Sequence, residues 1–187
     1  LKTNRIKFYG EIALSKNGAI STLNALQLTP ASYISFLVLY RYYDRRYQAL
    51  FGNAFSQGST VQNEQGVYMG LQLTPIARWK LSIYADLFRF PWLKYGIDAP
   101  SGGQEYMAQI DYTPSRNYSA YLRYKYRQKE KNRTFENDNL LRINSYKQHR
   151  IRFQQVYNFS SPFIFKTSLD GILFDDPIKK LNKGIMI

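Results

Sequence analysis

Residues 118–128 read Tyr-Ser-Ala-Tyr-Leu-Arg-Tyr-Lys-Tyr-Arg-Gln, and this stretch decides the fold. Every second residue from Tyr118 is apolar or aromatic: Tyr118, Ala120, Leu122, Tyr124 and Tyr126. The residues between them are Ser119, Tyr121, Arg123, Lys125 and Arg127. A period of two puts alternate side chains on opposite faces of an extended chain, so this is a β-strand with one greasy face and one charged face.

The same rhythm recurs in both directions. Residues 33–43 set Ile34, Phe36, Val38, Tyr40 and Tyr42 against Ser35 and Arg41. Residues 79–89 set Trp79, Leu81, Ile83, Ala85 and Leu87 against Lys80, Ser82, Tyr84 and Asp86. Residues 104–112 oppose Tyr106, Ala108, Ile110 and Tyr112 to Glu105, Gln109 and Asp111, and residues 148–158 oppose Ile151, Phe153 and Tyr157 to Arg150, Arg152 and Gln154. The pattern predicts strands at 5–14, 19–28, 33–43, 64–73, 79–89, 104–112, 118–128, 148–158 and 163–174, with a tenth starting near 183. Strand 19–28 is ambiguous in phase, because Asn24 interrupts its more apolar face.

Proline punctuates the pattern at regular intervals. Leu28-Thr29-Pro30 recurs as Leu73-Thr74-Pro75 and Tyr112-Thr113-Pro114, with Ser160-Ser161-Pro162 as a weaker relative. Proline presets φ and cannot donate to a ladder, so each copy predicts a tight reversal. Between these turns lie longer polar segments at 44–63, 90–103, 129–147 and 175–183. Asn17-Gly18 is the exception, a two-residue hairpin signal. Strands of 9–11 residues joined alternately by short turns and long loops match a transmembrane barrel. The predicted fold is therefore all-β: an antiparallel up-and-down transmembrane β-barrel, with nine or ten strands visible, forming part of a larger barrel in a single domain over 1–187.

Composition agrees. Seventeen Tyr and 12 Phe in 187 residues raise the aromatic share to 17%, while charged residues are 21%. Mean hydropathy is −0.44, as expected when only every second residue meets lipid. Tyr33, Tyr42, Tyr43, Trp79, Phe90, Trp92, Tyr112, Tyr118 and Tyr126 fall near strand ends, as interfacial girdles require. A soluble β-sandwich shares the alternation, but not the strand length or the number of outer aromatics. The net charge is +13. The absence of cysteine excludes disulfides and thiolate metal sites. Leu1-Lys2-Thr3-Asn4-Arg5 runs straight into a strand, so the expectation is a mature or trimmed segment of an exported chain.

A family resemblance rests on Tyr9-Gly10-Glu11, Leu23-Asn24-Ala25-Leu26-Gln27, Tyr40-Arg41-Tyr42-Tyr43, Gln62-Asn63-Glu64-Gln65-Gly66, Tyr84-Ala85-Asp86, Phe90-Pro91-Trp92-Leu93-Lys94-Tyr95, Ala99-Pro100-Ser101 and Arg127-Gln128-Lys129-Glu130-Lys131. On these residues the chain resembles the C-terminal outer-membrane barrel of Bacteroidetes helix-hairpin-helix domain-containing proteins. The likeness covers most of 5–160, is most specific at Phe90 to Tyr95, and weakens after Phe165. It implies location in the bacterial outer membrane. The family's DNA-related name attaches to none of the residues quoted.

The polar faces predict a basic lumen cluster of Arg41, Lys80, Arg123, Lys125, Arg127, Arg150, Arg152 and Lys166, with Glu11, Glu64, Asp86, Glu105, Asp111 and Asp170 as acidic partners. Buried charges must pair or stay wet. The cluster is thus either an ion-pair network filling the lumen or a path for an anionic solute or polymer. A nucleic-acid groove fits less well, since alternation sends Tyr124 and Tyr126 away from Arg123 and Arg127. His149 is the sole histidine and falls on the apolar parity, so catalysis is not expected. Glu136-Asn137-Asp138-Asn139 lacks the ligand spacing of a calcium loop, and Asp175-Asp176 is weaker still. No cofactor is expected. The apolar loop Phe90, Pro91, Trp92, Leu93, Lys94, Tyr95 is a lid candidate, against the plainer reading of a girdle continued above the bilayer. The expected function is a transport or structural envelope component that meets outer-membrane lipid and envelope partners. An envelope protein handling DNA and a barrel enzyme using His149 are the alternatives.

Overall fold

The computed structural model describes residues 5–49, 54–135, 138–160, 163–175 and 182–186. Ten strands form one sheet in chain order: β1 (Ile6–Leu14), β2 (Ile20–Ala31), β3 (Ile34–Tyr43), β4 (Glu64–Leu73), β5 (Trp79–Phe90), β6 (Ser101–Ser115), β7 (Tyr118–Phe135), β8 (Asp138–Ser160), β9 (Phe163–Asp175) and β10 (Asn182–Met186). Every neighbouring pair is antiparallel, which makes an all-β up-and-down meander. Among the described residues β1 and β10 are its edges.

The two faces differ sharply. Phe8, Ile12, Leu26, Met69, Ile83, Ile110, Leu122, Ile151 and Leu169 are large, apolar and exposed, and the register puts them on one face. Arg41, Glu64, Asp86, Glu105 and Asp170 share the other face and are buried. Greasy residues in contact with solvent and charges shielded from it invert the ordinary soluble pattern. Asn24 lies on the apolar face of β2, folded over Gly10 of β1, where a Cβ would sit 2.3 Å from the Asn24 Oδ1. The amide donates to the Thr22 hydroxyl at 2.7 Å, which keeps a polar group tolerable there.

Three expectations need correction. Residues 129–147 are not a loop: β7 and β8 stay paired from Lys129↔Tyr146 to Thr134↔Leu141. Lys129, Glu130, Lys131, Asn132 and Arg133 carry no apolar alternation, so the hairpin's extension is invisible to a hydrophobic pattern, although its register runs without a shift from Lys129 to Thr134. Pro30 and Pro114 do not form the reversals either. They sit within strand ends, at register shifts between Leu28 and Ala31 and between Tyr112 and Ser115. A shift there leaves proline's missing N–H without a ladder partner to lose. The preceding threonine makes the last bond to the neighbouring strand instead: Thr29 N–H to Arg5 O at 2.7 Å, Thr74 to Tyr33 O at 2.7 Å and Thr113 to Arg78 O at 2.9 Å. Asn158 N–H does the same to Asn117 O at 2.8 Å, so the fourth copy is Tyr157-Asn158-Phe159; Ser161 and Pro162 lie outside the described residues. Third, Tyr43 and Phe90 are not girdle residues, because their parity turns both onto the shielded face, where they are 2% and 3% exposed.

Candidate functional site on the shielded face

Arg41 organises the centre. Its Nε donates to Glu64 Oε1 at 2.6 Å, and its Nη1 and Nη2 donate to Asp86 Oδ1 and Oδ2 at 2.7 and 3.2 Å. Arg41 and Glu64 are 0% exposed and Asp86 is 1% exposed. The three come from β3, β4 and β5, so the guanidinium spans a whole strand. Gly66 makes that reach feasible: a Cβ there would lie 2.5 Å from the Arg41 Cζ.

The remaining carboxylate acceptors are taken by the β3–β4 loop. Backbone N–H groups of Gln57 and Gly58 donate to Glu64 at 2.8–2.9 Å. The Gln57 amide donates to Asp86 Oδ2 at 2.8 Å. Phe55 accepts from the Tyr43 hydroxyl at 2.9 Å, packs edge-on against Tyr68, and lies 5.0 Å beneath the Arg41 guanidinium. Lys129 Nζ donates to the Gln57 carbonyl at 3.2 Å. Residues 55–58 thus fold down over the polar face. A charge triad this buried is tolerable only because its hydrogen-bonding capacity is met.

Further along the face, Glu105 receives Lys125 at 2.8 Å, Arg127 at 2.6 Å and the Tyr84 hydroxyl at 2.6 Å. Asp170 receives Arg150 at 3.2 Å and Arg152 at 2.5 Å. Among the described residues Arg123 has neutral partners alone, Gln109 Oε1 at 2.6 Å from its Nε and the Tyr121 ring 5.1 Å from its guanidinium. Lys80 lies 3.8 Å from Asp111. Lys166 shares the parity of Asp170 but is exposed. All eight predicted cations therefore occupy one face, yet they form separate groups. Arg41 is sealed in its triad, Arg123, Lys125, Arg127, Arg150 and Arg152 sit together on β7 and β8, and Lys80 and Lys166 stand apart.

The apolar segment after β5 is built differently from the loop over the triad. Phe90 is buried against Phe88, with Lys94 Nζ 3.3 Å from its ring centroid. Burial against that ring lowers the Lys94 ammonium below its ordinary value. Trp92 is tied to Asn63 by two hydrogen bonds, 2.9 Å from its N–H to Asn63 Oδ1 and 2.8 Å from the Asn63 amide to its carbonyl, and it stacks under Arg45. Asn63 adopts a left-handed φ of 54°, which asparagine tolerates. Pro91 is exposed and Tyr95 fully so. The segment clamps the base of the β3–β4 loop, and residues 55–58 do the covering. No alternation or motif marks 55–58. The only hint was the shared parity of Arg41, Glu64 and Asp86.

His149 lies on the apolar face, where its Nδ1 meets the Tyr124 hydroxyl at 2.8 Å. Among the described residues no group of three or more His, Cys, Asp or Glu is arranged to hold a metal. No protein-family model, curated protein or solved structure matches the chain.

Proposed function

We propose that this sheet is the wall of a bacterial outer-membrane β-barrel, a transport or structural component of the envelope with a basic lumen. The observation that carries the reading is the inverted partition of the sheet, with exposed large hydrophobics on one face and shielded charges on the other. Lipid is the solvent that makes such a face favourable. Two aromatic rows border it. Near the short turns, Trp79 packs on Tyr112 at 4.4 Å, Tyr118 lies 6.2 Å from Tyr157, and Tyr157 packs on Phe159 at 4.3 Å. Towards the long loops, Tyr106 stacks on Tyr126 at 6.1 Å, and Tyr126 lies 5.0 Å from His149. Tyr118 to Tyr126 is roughly 27 Å along the strand at about 3.4 Å per residue. Tilt reduces that to about 20 Å, close to the apolar band of outer-membrane barrels. Residues 129–135 of β7 then stand beyond the band as an extended hairpin.

On this reading the shielded face is the lumen. Its β3–β5 sector is filled by residues 55–58, while its β7–β8 sector keeps excess positive charge. That arrangement supports passage or retention of anionic solutes rather than a neutral pore. The protein acts without chemistry of its own.

Refolding tests the proposal. The purified chain, diluted from denaturant into phospholipid vesicles, is expected to become protease-resistant and to migrate differently on gels when unboiled. A monodisperse soluble monomer in detergent-free buffer would overturn the membrane reading. Planar-bilayer conductance, with anion preference reduced in Arg123→Ala and Arg150→Ala, tests transport; absence of any conductance leaves the structural role.

A further inference from the structure

The β7–β8 ladder contains an electrostatic conflict. Lys125 is paired directly opposite Arg150, and Arg123 opposite Arg152, all on the shielded face. Like charges facing each other across strands disfavour pairing. Resident carboxylates only partly relieve this. Glu105 is shared by Lys125 and Arg127, and Asp170 by Arg150 and Arg152, so four of the five cations share two carboxylates among the described residues. Arg123 is left with the Gln109 amide.

Elsewhere on the same face the balance is reversed, with the single Arg41 cation held by two carboxylates and closed off by residues 55–58. The β7–β8 side chains differ in access as well, at 30% exposed for Lys125, 34% for Arg127, 36% for Arg150 and 30% for Arg152. They are held by their partners, yet a solute can reach them.

We infer that Arg123 and Arg152, flanked by Lys125 and Arg150, form a binding site for a doubly charged phosphate group. The inference deepens the anionic-lumen reading and rests on it for how solute arrives. Arg123 and Arg152 start from facing ladder positions and turn their Nε groups to Gln109 and Asp170, and the N–H groups of two neighbouring guanidiniums suit the several terminal oxygens of one phosphate. A dianion also offsets most of the local excess charge. Asp170 holds the Arg152 fork on one side and Gln109 orients the Arg123 Nε, so the donors are positioned before the ligand arrives.

The test is a calorimetric titration of the lipid- or detergent-folded chain with inorganic phosphate and, separately, glycerol 3-phosphate, at fixed ionic strength set with chloride. Saturable binding is expected, weakened at least tenfold in Arg123→Gln and Arg152→Gln and unchanged in Arg116→Gln, an equal charge loss in an exposed turn. Gln109→Glu supplies Arg123 with a carboxylate and is expected to weaken binding without deleting a cation. Tighter binding of the ester identifies a phosphorylated solute, and equal or tighter binding of inorganic phosphate identifies the free ion; either supports the site. No saturable binding by folded chain, or equal losses in Arg116→Gln, overturns it. Should the chain prove soluble, the same titration applies, so failure of the membrane reading and failure of the site are separate results.

Discussion

Arg41 is the residue on which the shielded face turns, and its environment dictates what replacing it does. Its positive charge is fully desolvated and answered by Glu64 and Asp86. Arg41→Ala removes the cation and leaves two buried carboxylates facing each other, a change expected to cost about 3–5 kcal/mol. Urea unfolding from vesicles measures it. Gly66→Ala is expected to act on the same group without touching a charge, since the new Cβ would collide with the guanidinium. A loss of more than about 1 kcal/mol, largely absent when Gly66→Ala is made in an Arg41→Ala background, is the signature of that coupling. The sequence shows Arg41 and its candidate carboxylates on the polar parity, but not which of them Arg41 meets. Asp86 lies two strands away, and the reach depends on a missing side chain at Gly66, which no period records.

At the scale of elements, strands were legible and loops were not. Nine predicted strands agree with the observed ones because apolar alternation reports which face is wetted by what. The extension of β7 and β8 escaped notice because its pairing is carried by backbone alone, in a charged sequence. The β3–β4 loop escaped for a related reason. Its contacts are made largely by main-chain groups, the N–H of Gln57 and Gly58 and the carbonyl of Phe55. Replacing residues 55–58 by Gly-Ser-Gly-Ser removes Phe55 and the Gln57 amide that meets Asp86. The expected result is higher solute flux in vesicle-swelling assays and a protease cut within the loop. Unaltered flux together with unaltered protection would show that the segment covers nothing functional. The base of this loop is expected to respond to acid. The Arg46 N–H donates to Asp44 Oδ1 at 2.8 Å and holds that carboxyl below its ordinary range. A depressed carboxyl contributes stability that is present above its unfolded pKa and lost as pH falls through the folded one. Hydrogen exchange at Arg46 is therefore expected to quicken below about pH 4 relative to its intrinsic rate.

For the molecule as a whole, the decisive quantity is what surrounds the outer face of the sheet, and depth dependence is the observable that separates lipid from everything else. Leu122 lies midway between the aromatic rows on the outer face of β7, Tyr118 lies in the row beside the turn, and Tyr121 points to the shielded side. A protein partner packed on this face, or a second sheet, would penalise a charge according to local fit, with no gradient along the strand. Hydrocarbon penalises it by depth: about 2–4 kcal/mol for arginine at the midplane and about 0–1 near the interface. Leu122→Arg is accordingly expected to lose about 2–4 kcal/mol in vesicle unfolding and Tyr118→Arg about 1 or less beyond the loss of its ring contact with Tyr157, with Ile110→Arg matching Leu122→Arg because the two are register partners. Equal costs at Leu122 and Tyr118, or a large cost at Leu122 but none at Ile110, would mean that the face is covered by protein rather than by membrane.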